Sequence, residues 1–104
     1  NFAITVCDTE GTVVEMNAKS AATFAKHGGD SLVGKSLIDC HPEPARTKLL
    51  SMLAEPVTNA YTIEKNGVKK LIYQTPWMKD GKPAGLVEIS LEIPFDMPHF
   101  VRKS

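Results

Sequence analysis

The sequence predicts an α+β domain: one five-stranded antiparallel sheet with short helices on one face. Three observations lead there. Short apolar, β-branched runs gather at both ends of the chain. Turn signals at Asp8–Gly11, Asn66-Gly67 and Asp80-Gly81 join neighbouring runs into hairpins. The helix-forming segments all lie between the second and third strands, which segregates them to one side of the sheet.

Each element has its own reason. Phe2-Ala3-Ile4-Thr5-Val6-Cys7 is a short apolar run and predicts a buried strand; Thr12–Met16 pairs with it through the turn at Gly11. Asn17 offers a side-chain oxygen as an N-cap, and the strong helix formers from Ala18 place Ala21, Phe24 and Ala25 on one face. Gly28-Gly29 stops this helix. Asp30–Gly34 predicts one helical turn, and Leu37-Ile38 a second short apolar element. Pro42-Glu43-Pro44 then opens a longer helix, because a first turn tolerates missing N–H groups and favours an acid. Ala45, Leu49, Met52 and Leu53 share its apolar face, and Pro56 stands just past its end.

The remainder predicts three strands. Ala60–Lys65 and Val68–Thr75 flank Asn66-Gly67, with the second ending near Pro76-Trp77. In the last strand Val87, Ile89, Leu91 and Ile93 alternate with Glu88, Ser90 and Glu92. Alternation predicts the apolar set facing the helices and the polar set facing water. If the acidic face turned inward instead, a buried Glu88 would mark a functional site.

The chain has 104 residues, enough for one domain with a modest core: residues 1–93, followed by a proline-containing tail, 94–104. Twelve basic residues balance twelve acidic ones, so no net charge favours nucleic acid or an acidic membrane surface. No apolar run is long enough to span a bilayer, and no signal peptide opens the chain. Two cysteines are too few for a disulfide framework and predict reduced thiols in a cytoplasmic protein; a single Cys7–Cys40 bridge is the alternative. There is no phosphate-cradling glycine loop and no Gly-x-Ser-x-Gly elbow, so no enzyme class is indicated. Cys40-His41 lacks a second close Cys/His pair and makes no zinc set; His27 is expected in solvent and His99 in the tail.

The order of landmarks resembles the PAS domain family. The residues carrying the resemblance are Asp8-x-x-Gly11 in the first hairpin, Asn17 opening the first helix and Gly34 before the next. The Pro42-Glu43-Pro44 corner and the meander Tyr61–Ile93 complete it. The resemblance covers nearly the whole chain and implies a sheet curled around short helices. It implies a bacterial sensory module that holds a small molecule non-covalently between sheet and helices, dimerises, and passes a signal to a kinase, cyclase or transcription factor.

By the same resemblance, the pocket is lined by Phe24, Ile38, Leu49, Leu53, Ile63, Tyr73, Val87 and Ile89. Light-oxygen-voltage members carry a reactive cysteine where this chain has Leu37, so covalent flavin chemistry is not expected. Oxygen-sensing members carry a haem-ligating histidine within the long helix, near Leu49 here; a haem sensor would have to use His41 instead. The bland role for His41 is a ring bonded to backbone at a helix mouth, on the rim of the pocket. A ligand-free interaction or dimerisation module is the remaining alternative. Pro94 and Pro98 oppose the continuous signalling helix that often follows such domains, which suits a stand-alone protein or a domain closing a longer chain. Residues 94–101 carry Phe95, Met97, Phe100 and Val101 and are expected to cover the outer sheet face or a second subunit.

Overall fold

The computed structural model describes residues 1–55 and 57–104, with the side chains of His27 and Cys40 left out. The expectations for Pro56 and for those two side chains lie outside the described residues. Strand β1 (Ala3–Asp8) and strand β2 (Val13–Met16) form the first hairpin, followed by helix α1 (Ala18–Thr23). Three 3-10 turns come next, at Ala25–His27, Gly29–Leu32 and Ile38–Cys40. Helix α2 (Ala45–Ala54) leads into strands β3 (Asn59–Lys65), β4 (Val68–Lys79) and β5 (Lys82–Ile93). The five strands form one antiparallel sheet in the order β2-β1-β5-β4-β3, so the last strand lies at its centre.

The tight hairpins follow from their residues. Asn66-Gly67 and Asp80-Gly81 all take positive φ, the backbone a two-residue primed turn demands. Asn17 caps α1, its Oδ1 accepting from the Ser20 N–H at 2.9 Å. The same oxygen accepts from Ile4 N at 3.0 Å, and its amide donates to the Phe2 carbonyl at 2.8 Å. One side chain therefore fixes α1 against β1. Glu43 works in a similar way at α2: its carboxylate accepts the Thr47 N–H at 2.7 Å and the Thr47 hydroxyl at 2.5 Å. Those two bonds hold the Glu43 carboxyl below its usual range.

The core lies between the helices and one end of the sheet. Cys7, Val13, Leu32, Leu37, Leu49, Met52 and Leu86 are buried there, with Met16, Phe24, Ile38 and Leu53 packed against them. The expected phase of α2 is met, since Leu49 and Met52 are its buried residues. In α1 the buried residue is Ser20 instead of an apolar one; its hydroxyl pairs with that of Thr5 on β1. Cys7 is a free, buried thiol whose pKa is pushed up first by that burial.

Two strand expectations are corrected. β4 continues through Pro76-Trp77 to Lys79. Pairing with β3 stops at Asn59 opposite Gln74, so Pro76 sits where β4 is a free edge on that side and its missing N–H leaves no ladder gap there. The phase of β5 is the reverse of the alternation expected. Cys7 and Thr5, both facing the core, stand opposite Leu86 and Glu88. Leu86, Glu88 and Ser90 therefore face the helices, while Val87, Ile89, Leu91 and Ile93 lie on the outer face. The physical reason is that the helix side of this sheet carries polar groups and the outer side is the more apolar.

The tail does not bury its apolar groups against its own domain. Phe95, Met97, Phe100 and Val101 are 55, 53, 73 and 86% exposed. Among the described residues, no helix is long and apolar enough to cross a membrane.

Candidate functional site

Inward-facing positions of the sheet and the approach to α2 enclose two hollows that share Tyr61 and Ile63 of β3 as a common wall. The outer hollow, about 460 Å³, is apolar and lies between β3 and the start of α2, against Pro44, Ala45 and Lys48. The inner one, about 300 Å³, lies over β1, β4 and β5 and is closed by Phe24, His41 and Pro42. It holds the polar chemistry: Thr5, His41, Glu88 and Ser90, with Lys65 and Lys70 toward one end.

Glu88 is the centre of this chemistry. It sits on the central strand with its side chain 15% exposed. Its Oε2 accepts from Gln74 Nε2 at 2.9 Å and lies 3.5 Å from His41 Nε2. Gln74 in turn accepts from the Asn59 amide at 3.0 Å, so the polar chain crosses β5, β4 and β3. The His41 ring is held from behind, its Nδ1 2.9 Å from the Leu37 carbonyl. That contact keeps a proton on Nδ1, since a carbonyl only accepts.

The two charges support each other. Burial is the largest single influence on each and disfavours its charged form. For His41 the contact and charge of Glu88, helped by the Leu37 carbonyl, outweigh burial and raise its pKa. For Glu88 the contacts from His41 and Gln74 outweigh burial and lower it. Each shift favours the charged form, imidazolium for His41 and carboxylate for Glu88. The Tyr61 phenol is pushed up, by burial first and then by the Glu88 charge, so it stays neutral.

Of the residues expected to line a ligand pocket, Phe24 and Ile63 border the inner hollow, and His41 stands in its wall. Leu49 belongs to the buried core, with Ile38 and Leu53 packed against that core, and none of the three lines either hollow. Tyr73, Val87 and Ile89 lie on the opposite face of the sheet, because β5 has the reverse phase and Tyr73 pairs with Ile89. Sequence reasoning missed Thr5, Tyr61, Gln74 and Ser90 as part of this surface. The available signal was polar residues at alternate positions of central strands, where apolar ones are the norm.

The donors present do not fit haem. Both His41 nitrogens are engaged, one by Leu37 and one by Glu88, and iron would have to displace the carboxylate contact. Leu49, in the helix where a proximal ligand is expected, cannot ligate iron. Leu37 at the position of the photoactive cysteine is 2% exposed and packed in the core. Among the described residues, no three His, Cys, Asp or Glu side chains are grouped to hold a metal ion.

The architecture has counterparts among solved structures. A sensory box sensor histidine kinase from Vibrio cholerae matches with a TM-score of 0.68 at 16% identity, over 91% of this chain and 84% of that one. The Aer2 receptor from Vibrio cholerae, described as a dual PAS-haem oxygen sensor, matches at 0.62 and 17% identity, over 90% and 96%. The PAS domain of BvgS from Bordetella pertussis matches at 0.64 and 18% identity, over 88% and 76%. At these identities the likeness establishes the fold. No curated protein matches the chain by sequence. The family described as PAS fold matches residues 1–94, and with its central fifth strand and its helices grouped over one sheet face the chain belongs to that family.

Proposed function

We propose that this chain is a non-enzymatic sensory domain that binds a small molecule non-covalently between sheet and helices. The observation that carries the reading is the inner hollow with Glu88 and His41 in its wall. A filled core places apolar side chains at such positions, so a charged pair beside about 300 Å³ of space supports the reading of a binding site. The neighbours named as kinase and receptor sensors support a signalling role in a bacterial cell, with a kinase, cyclase or transcription factor as output.

A small-molecule library screened by thermal shift tests this reading. Ser90→Phe serves as the control, since a phenyl group from that inward position fills the inner hollow. Ligands should raise the melting temperature of the wild type and leave the variant unmoved. If no compound separates the two proteins and Ser90→Phe is the more stable, the hollow is a packing defect and the domain is a ligand-free interaction module.

The domain is further proposed to act as a homodimer through the outer sheet face. Val87, Ile89, Leu91 and Ile93 on β5 are only half-buried there, and the exposed apolar tail leaves that same strand at Ile93. A second copy would cover both. Removing residues 95–104 should convert dimer to monomer in analytical ultracentrifugation. An unchanged mass and melting temperature would show the tail to be a passive extension.

A further inference from the structure

The ends of the inner hollow differ in charge, and the difference selects a ligand. At one end Glu88 Oε2 is taken by Gln74 and His41, whereas no hydrogen bond reaches Oε1 among the described residues. At the other end Lys65 and Lys70 form no ion pair among the described residues, although Glu92 stands opposite Lys70 in the sheet. Between them the walls are mainly apolar, from Ala3, Phe24, Ile63 and Ile72, with the hydroxyls of Thr5, Thr23 and Ser90 among them and Ser90 opposite Ile72 midway.

The register sets the scale. Lys70 pairs with Glu92, and Glu88 lies four residues back along β5, so the two ends stand about 13 Å apart at the backbone. Side chains reaching inward from both ends leave room for an elongated molecule and would be bridged poorly by a compact one. The charge pattern sets the groups. His41 already stands against the other carboxylate oxygen of Glu88, so the ligand end meeting Oε1 should bring a hydrogen-bond donor and no further cation. The lysines want an anion.

We infer that the inner hollow takes an elongated organic acid: a carboxylate at Lys65 and Lys70, an apolar middle, and a neutral O–H or N–H donating to Glu88. This rests on the small-molecule reading above and adds the class of ligand to it. An amine donor is disfavoured by His41 beside the acceptor, and a cationic tail by the two lysines.

Four probes of similar width separate these features. Isothermal titration calorimetry of the full chain should show 4-hydroxyphenylacetate binding. Phenylacetate, which lacks the donor, should bind about ten- to a hundredfold more weakly, as expected for a lost bond to a charged group. Tyramine, which reverses the charged end, and p-cresol, which removes it, should each be weaker than the acid by at least about tenfold. Glu88→Gln should narrow the gap between the two acids, and Lys70→Met should narrow that between 4-hydroxyphenylacetate and p-cresol. Tyramine or p-cresol binding as well as the acid overturns the class and leaves a ligand pocket standing. Silence from all four while the library screen yields other ligands also overturns the class alone. Silence in both overturns the pocket with it.

Discussion

Gly85→Ala should cost about 3–5 kcal/mol, measured by urea unfolding against the wild type. Gly85 has φ +146, a conformation that L side chains rarely adopt. An added Cβ there would stand 1.9 Å from the Cys7 carbonyl oxygen and 2.8 Å from Asp8 Cα. Both are backbone atoms of β1, paired to β5 at this point, so neither moves without opening the ladder. Backbone strain contributes about 1–3 kcal/mol and the forced contact about as much again. The same carbonyl accepts the Trp77 indole N–H at 2.9 Å, and Trp77 is the cross-strand partner of Gly85. A shift of β1 would break that bond too, at about 1 kcal/mol. A domain of this length is stabilised by about 5–15 kcal/mol, so the variant would lose about a fifth or more of its margin. Trp77→Phe provides the scale, since it removes the bond and leaves the backbone alone; about 1 kcal/mol is expected. A loss under 1 kcal/mol in Gly85→Ala would mean that β1 and β5 are not tightly joined at this position.

That junction was not legible in the sequence. Gly85 follows a lysine, a proline and an alanine, and nothing nearby signals that another strand crosses its Cα. Its constraint is long-range, as is the Trp77 bond spanning seventy residues of sequence. Local chemistry was readable. Asn66-Gly67 and Asp80-Gly81 turn where their φ preferences dictate, Asn17 caps α1, and the i, i+4, i+7, i+8 spacing placed the buried face of α2. Such features depend on a few consecutive residues and one periodicity.

The site was less legible because its strands break the usual patterning rule. Val87, Ile89, Leu91 and Ile93 form the cleaner apolar stripe, so alternation alone turns them inward. In the fold, Leu86 fixes the opposite phase by packing with Cys7, and Glu88 and Ser90 follow it in. Polar residues on a central strand then have two uses, solvated surface or binding site. Only the tertiary arrangement, with His41 over Glu88, separates them. The same ambiguity hid Ser20, whose partner Thr5 lies on a strand that otherwise reads as apolar.

His41→Ala should lower stability by about 2–3 kcal/mol near pH 6, and by clearly less at pH 9. Breaking one side of a buried ion pair costs about 3–5 kcal/mol when the remaining charge has no relief, and Gln74 still holds Glu88 here. The pH dependence follows from the direction of each shift. The folded pKa of His41 is raised from its ordinary 6.5, so its contribution is complete below that value and is lost as pH climbs through the folded pKa. The folded pKa of Glu88 is lowered from its ordinary 4.5, so its contribution is complete above that value and is lost as pH falls through the folded pKa. The pair therefore stabilises most between about pH 5 and 6.5 and weakens on the alkaline side as the imidazolium loses its proton. His41→Gln should recover part of the loss without the alkaline decline, because an amide donates to Glu88 and does not titrate. Glu88→Gln should flatten both limbs, since the carboxylate that shifts His41 is gone. The measurement is the free energy of urea unfolding at six or seven pH values from about 3 to 9 for the four proteins. Superimposable profiles for wild type and Glu88→Gln would show that no proton is coupled to this contact. His41 would then be only a ring bonded to Leu37 at the mouth of α2, and the charge logic of the inner hollow would have to be rebuilt around Lys65 and Lys70 alone.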